Sequence, residues 1–126
     1  VNEFRGHVQN SCALLLASPE YNYSFSGVLK NALDWASTLT LGNLIYQKPV
    51  AIMGTTTGLW GTTRSQLHLR QVLHAINARV IARPEVYISN AKTAFDENGA
   101  LIDNKSNQLL KSLIQALIDE IGRSGC

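Results

Sequence analysis

Charge is scarce in this chain, and cysteine is scarcer. Charged residues are 16% of 126 positions, and 11 basic against 9 acidic side chains leave a formal net charge of +2. The basic residues are scattered from Arg5 to Arg123, so no dense positive stripe is present to neutralise a row of phosphates, which argues against a nucleic-acid partner. Low charge beside 45% hydrophobic residues also argues against a disordered chain. No apolar run approaches the roughly 20 residues that span a bilayer. The longest, Cys12-Ala13-Leu14-Leu15-Leu16-Ala17, stops at Ser18-Pro19, and the residues after Val1 do not read as a signal peptide. The expectation is a protein with no membrane partner, located in the cytoplasm. The only cysteines, Cys12 and Cys126, lack C-x-x-C spacing and are expected to be structural or incidental, neither a zinc site nor a redox pair, as suits a reducing compartment. His68 and His74 lie on different faces of one helical segment and His7 is isolated, so no metal site is expected. No G-x-S-x-G elbow is present, nor a histidine with an acid partner, which argues against hydrolase chemistry.

What is present is an alternation of periods. The length suits one compact domain. Val1, Phe4 and Val8 have helical spacing, and the apolar run Cys12 to Ala17 reads as a strand covered on both faces. After a polar loop, Pro19 to Ser26, Val28, Leu29, Ala32, Leu33 and Ala36 form one helical stripe, with Ser24 or Ser26 available as cap. Pro49-Val50-Ala51-Ile52-Met53 reads as a second buried strand leading into the loop Gly54 to Gly61. A helix with Leu69, Val72, Leu73 and Ile76 on one face follows, starting at Thr62 or Thr63. A third strand, around Val80 to Ile88, contains Pro84 and belongs at a sheet edge. Phe95 to Leu101 reads as a small hairpin with Asn98-Gly99 at its tip, and Leu109 through Ile121 carry the strongest helical stripe, including Leu113, Ile114, Leu117 and Ile118. This order predicts an α/β fold, an open parallel sheet with helices on both faces.

In such sheets ligands bind beyond the carboxyl ends of the strands. Two loops occupy that location. Glu20, Tyr21 and Asn22 follow the first strand, where an amide can pair with a heterocycle edge and a phenol can stack on it. Thr55 to Gly61 follow the second, with glycines that permit close backbone approach and hydroxyls that can bond a polar ring or an anion. Either loop alone is also an ordinary connection.

Together the segments Pro19-Glu20-Tyr21-Asn22-Tyr23-Ser24 and Gly27-Val28-Leu29-Lys30-Asn31-Ala32-Leu33-Asp34-Trp35 resemble the NADPH-dependent FMN reductase family, which includes quinone and chromate reductases. Lys48-Pro49-Val50 through the Thr/Gly loop to Arg64, then His68 to Leu73, and Arg83-Pro84-Glu85-Val86 extend the resemblance over nearly the whole chain. It implies a flavodoxin-like, three-layer α/β/α domain over residues 1–126. It also implies FMN as cofactor, NADPH or NADH as hydride donor, and a quinone-like, azo, flavin or metal-oxyanion acceptor. The implied cofactor-binding residues are Pro19, Glu20, Tyr21 and Asn22 beside the flavin ring, with Thr55, Gly58 and Gly61 across from them. No side chain is expected to act as a catalytic acid or base, because the cofactor carries the chemistry. A homo-oligomer, dimer or tetramer, is implied as well.

The chain departs from the family pattern in two places. Thr62 stands where relatives often carry a second glycine after Gly61. The Ser/Arg-rich phosphate loop that follows the family's first strand has no counterpart, so the domain reads as lacking its first two β–α units, with Cys12 to Ala17 left as an apolar edge. Arg64, Lys30 or a helix N-terminus would then have to meet the phosphate. The alternative expectation is a non-catalytic flavodoxin-like fragment or partner subunit without flavin turnover.

Overall fold

The computed structural model describes residues 1–126. Helix α1 (Asn2–Asn10) is followed by strand β1 (Leu14–Ala17), helix α2 (Gly27–Ser37), strand β2 (Pro49–Thr55) and helix α3 (Thr63–Ala75). Two short strands come next, β3 (Arg79–Val80) and β4 (Val86–Ile88), then the single turn α4 (Ala91–Ala94) and the long helix α5 (Asn104–Ser124). The expected alternation is present throughout.

Strand β2 is the axis of a parallel, open sheet. On one side Leu14 to Ala17 of β1 pair with Val50 to Met53. On the other, β3 pairs with Pro49 and Val50, and β4 with Met53 to Thr55. The expected third strand is thus one edge line in two pieces: Pro84, with no N–H to donate, lies in the gap between β3 and β4. Because side chains alternate along a strand, Val50 and Ile52 join a core with Leu33, Leu69 and Leu73, whereas Ala51 points to the opposite face, toward Val86, Ile88 and Leu113. Helices on both faces, three layers in all, follow from that alternation.

Four apolar positions differ from the periodic expectation. Leu15 on β1 is 41% exposed, so β1 is not covered on both faces; it is a margin strand, and α5 packs on β2 and β4 instead. On α5 itself Leu113 and Leu117 are buried while Ile114 and Ile118 are 38% and 53% exposed, so the apolar face is wider than the sheet beneath it. Val28 at the start of α2 is 83% exposed, although Ser26 caps the helix by accepting the Leu29 N–H at 3.2 Å.

The cysteines require a correction. Cys12 and Cys126, expected to be structural or incidental thiols, form a disulfide with a Cα–Cα distance of 5.7 Å across a sequence separation of 114. Helix α5 runs back along the sheet and Gly125, at φ 68°, turns the chain end onto the residues before β1; no local spacing could have announced this. Arg5 was also silent in the sequence. The residue is 9% exposed, and its guanidinium donates to the carbonyls of Trp35 and Leu41 at 2.5 Å, tying α1 to the end of α2 and the segment beyond.

Candidate functional site

Parallel pairing brings the carboxyl ends of β1 and β2 together. Ala17 lies opposite Met53, and the Ser18 N–H continues the ladder to the Met53 carbonyl at 3.2 Å. The loops that leave these strands therefore start as neighbours. Gly54 makes the approach possible: a Cβ there would stand 2.2 Å from the Ser18 carbonyl oxygen and 2.7 Å from the Thr62 side chain. Thr62 is fully buried in that contact, and its Oγ1 accepts from Gln66 Nε2 at 2.9 Å.

The first loop is a tight turn. Tyr21 and Ser24 exchange backbone hydrogen bonds of 2.8 and 2.9 Å, and the residues between them, Asn22 and Tyr23, have φ of 48° and 71°. Left-handed backbone is tolerable for Asn but costs a bulky residue such as Tyr roughly 1 kcal/mol or more, so the turn must be held by its surroundings. Ser18 helps: its Oγ accepts the Ser26 N–H at 3.3 Å.

Glu20 does more. Its side chain is only 4% exposed and accepts the backbone N–H groups of Arg64 and Ser65, both at 3.1 Å, in the first turn of α3. Thr62, in the N-cap position, makes no capping bond through its own side chain; a carboxylate from another loop satisfies the orphan donors instead, where the helix dipole favours negative charge. The Arg64 guanidinium closes the arrangement, donating to Glu20 Oε1 at 2.6 Å and lying 3.8 Å over the Tyr23 ring.

The second loop is stitched to the segment after β4. Thr56 donates its N–H to Ile88 and accepts from Ala91, and Gly58 accepts from Asn90 at 3.0 Å. Gly61, at φ 59°, packs on Tyr87, whose Cβ lies 3.0 Å from where a Gly61 Cβ would be. Burial, with the Glu85 carboxylate beside it, pushes the Tyr87 hydroxyl pKa above its ordinary value and keeps it protonated.

Between the loops lies an open cleft of about 270 Å³ lined by Pro19, Glu20, Tyr21, Thr55, Thr56, Thr57 and Ala91. It adjoins an apolar hollow of about 320 Å³ that shares Pro19 and Thr55 with it and continues over Ala17, Met53 and Leu110. Of the residues singled out in the sequence, Pro19, Glu20, Tyr21 and Thr55 meet at the cleft. Asn22 is exposed on the turn above it; Gly58 and Gly61 shape the second loop without lining the cleft. Lys30, offered for a phosphate, is paired with Asp34 at 2.8 Å, and Arg64 with Glu20. Gly54 and Gln66 went unremarked in the sequence, and only the tertiary fold gives them a reason.

The cleft has the chemistry to bind a planar ring with a hydrogen-bonding edge. Thr55 Oγ1 is buried with no partner. The N–H groups of Glu20, Asn22 and Tyr23, and those of Thr57 to Thr62, donate to no protein acceptor, and Tyr21 offers an exposed ring at the rim. No group of three or more His, Cys, Asp or Glu side chains is placed to hold a metal ion, and no helix is long and apolar enough to cross a membrane.

Comparison with known proteins agrees with this chemistry. Residues 1–93 match the family model described as NADPH-dependent FMN reductase. The chain is 47% identical over 117 residues to an NAD(P)H-dependent FMN reductase of Pseudomonas aeruginosa, with 93% of this chain and 63% of the relative aligned. It is 37% identical to a 2-hydroxy-1,4-benzoquinone reductase of a Burkholderia species, with 88% and 61% aligned. Among solved structures, the flavoenzyme NAD(P)H:(acceptor) oxidoreductase FerB of Paracoccus denitrificans superposes with a TM-score of 0.86 at 31% identity, over 97% of this chain and 67% of that one. The chain thus spans about three fifths of the length of the curated relatives it matches.

Proposed function

This chain belongs to the NADPH-dependent FMN reductase family, and from that premise we propose that it binds FMN in the cleft between its two strand-end loops, as part of an NADH- or NADPH-dependent oxidoreductase. The observation that carries the proposal is the cleft itself: Glu20 and Thr57, whose N–H groups have no acceptor, and Thr55, whose buried hydroxyl has no partner, line it together with Pro19 and Tyr21. The N–H groups of Glu20 and Asn22 would meet the pyrimidine edge, Tyr21 would cover the ring's margin, and Thr55 would bond its near side. Gly58 and Gly61 belong to this site as the loop that borders the ring. The chemistry that bound FMN supplies is acceptance of hydride from NAD(P)H and release of electrons to a quinone-like, azo, flavin or metal-oxyanion acceptor. The chain's own residues bind and orient; no side-chain base is required.

Lys30 and Arg64, the side chains considered for the phosphate, are both paired within the chain, and the proposal does not assign the phosphate to them. We place its contacts in two further β–α units beside β1. The support is uncovered apolar surface: Leu15 of β1 shares the sheet face of Ala51, on which α5 packs, and Leu15, Ile114 and Ile118 are all exposed. The proposed assembly is a homo-oligomer, a dimer or tetramer, because Val28, Leu39, Leu59 and Trp60 are each more than two-thirds exposed and call for cover. The proposed location is the cytoplasm, where NAD(P)H is supplied.

Purified protein loaded with FMN and freed of excess tests the function. Retained yellow absorbance that bleaches anaerobically on adding NADH or NADPH is the expected result. A colourless or unreactive preparation would instead favour a non-catalytic module.

A further inference from the structure

Arg64, in the first turn of α3, contacts residues on both sides of Asn22 in the strained turn. Its guanidinium holds Glu20 on one side of Asn22 and stacks on Tyr23 on the other, while its backbone N–H also binds Glu20. Glu20 in turn is 4% exposed and has no other cation near it. The left-handed pair Asn22 and Tyr23 is therefore bracketed by one ion pair and one cation–π contact.

We infer that the Glu20–Arg64–Tyr23 bracket is a positioning device: it holds the Tyr21 to Ser24 turn in its left-handed form, so that the turn's free N–H groups stand ready for the ligand's hydrogen-bonding edge. The inference rests on the flavin reading above. Glu20 and Arg64 then act on affinity without offering their charges to the ligand, because both charges are spent on each other and on α3. Order established before binding need not be imposed during it, which is how a contact away from the ligand changes the dissociation constant.

The test uses this chain with two variants, Glu20→Gln and Arg64→Lys. Glu20→Gln retains an acceptor for α3 and loses the ion pair; Arg64→Lys keeps the charge and loses the fork and the flat stacking surface. FMN titration followed by quenching of flavin fluorescence should show a dissociation constant raised about tenfold or more in each, the weight of a lost charge-assisted hydrogen bond. The ligand-free protein gives a second readout. Backbone 15N order parameters at Asn22 and Tyr23 should be near 0.85 in the parent and fall toward 0.6 or below in the variants, while α3 away from its first turn stays rigid. If Glu20→Gln does not fold, Arg64→Lys decides. Unchanged FMN affinity with unchanged order at the turn overturns the inference, as does a lower melting temperature with no change in either. If the parent itself fails to bind FMN, the flavin reading falls, and the order parameters still judge the bracket.

Discussion

At the residue scale the informative positions are those where a single added atom has nowhere to go. Gly54 is such a position: a Cβ there would stand less than 3 Å from the Ser18 carbonyl oxygen and the Thr62 side chain. Gly54→Ala should lower the unfolding free energy by about 3 kcal/mol or more in a denaturant titration, since backbone rather than a flexible side chain would have to move. Gly58 is the contrast. Nothing but Thr56 Oγ1, at 4.0 Å, is near its would-be Cβ, so Gly58→Ala should change stability by no more than about 1 kcal/mol, and in the stabilising direction if the unfolded chain loses freedom. Equal effects at the two sites would refute this account of the loop. The sequence drew attention to Gly58 and Gly61 because they stand in a Thr/Gly-rich run. It could not single out Gly54, whose need arises from Ser18 and Thr62, partners distant along the chain. Glu20 was legible as a site residue through its motif; that its carboxylate serves α3 was not, because the acceptor of a capping bond can come from any loop that folds nearby.

At the element scale, the order of the long helices was readable from period and the start of α2 from its Ser26 cap, whereas the cap of α5 was not singled out. Asp103 caps α5 by accepting the Ser106 N–H at 2.8 Å, and its hydrogen bonds to Ser106 hold its carboxyl below the usual 3.8. A depressed folded-state value means that the cap contributes fully above the unfolded pKa and is lost as pH falls through the lower folded one. Unfolding midpoints of Asp103→Asn and the parent should therefore converge as pH drops below about 4, and a constant gap down to the acid limit would contradict it. What period could not show was where a partner ends. Leu15, Ile114 and Ile118 fit their stripes and remain exposed, because amphipathic spacing says which face is apolar and not whether anything covers it. Pro84 broke one expected strand into β3 and β4 for a reason that was legible, its missing N–H, although the second piece regaining β2 was not.

The Cys12–Cys126 bond belongs to the same scale and links the end of α5 to the approach to β1. Closing a loop of 114 residues stabilises by about 4 to 5 kcal/mol in the chain-entropy view. Cys126→Ser should lose most of that in unfolding measured without reductant, and should match the parent once a reductant is present. Identical curves in both conditions would show that the bond does not form in solution. Disulfides are uncommon in a reducing compartment, so the thiol state of protein alkylated on lysis tests whether this bond persists in the proposed location.

At the scale of the whole molecule, one arrangement underlies the functional reading. A parallel sheet places the carboxyl ends of β1 and β2 side by side, Gly54 lets their loops approach, and Glu20 fastens the first loop to the helix that follows the second. The open parallel architecture and the two neighbouring loops were legible in the sequence, since strand, breaker and helix follow one another at short range. The fastening, the disulfide and the uncovered margin are long-range facts that periodicity does not encode. The central claim is that these loops jointly receive the edge of FMN. Chemical-shift mapping of 15N-labelled protein titrated with FMN tests it most directly. The account predicts saturable shifts concentrated at the amides of Glu20 to Tyr23 and Thr55 to Gly61, with little change in α5 beyond its contact with the hollow. Shifts confined to another face of the sheet, or none in either loop at saturating FMN, would contradict it.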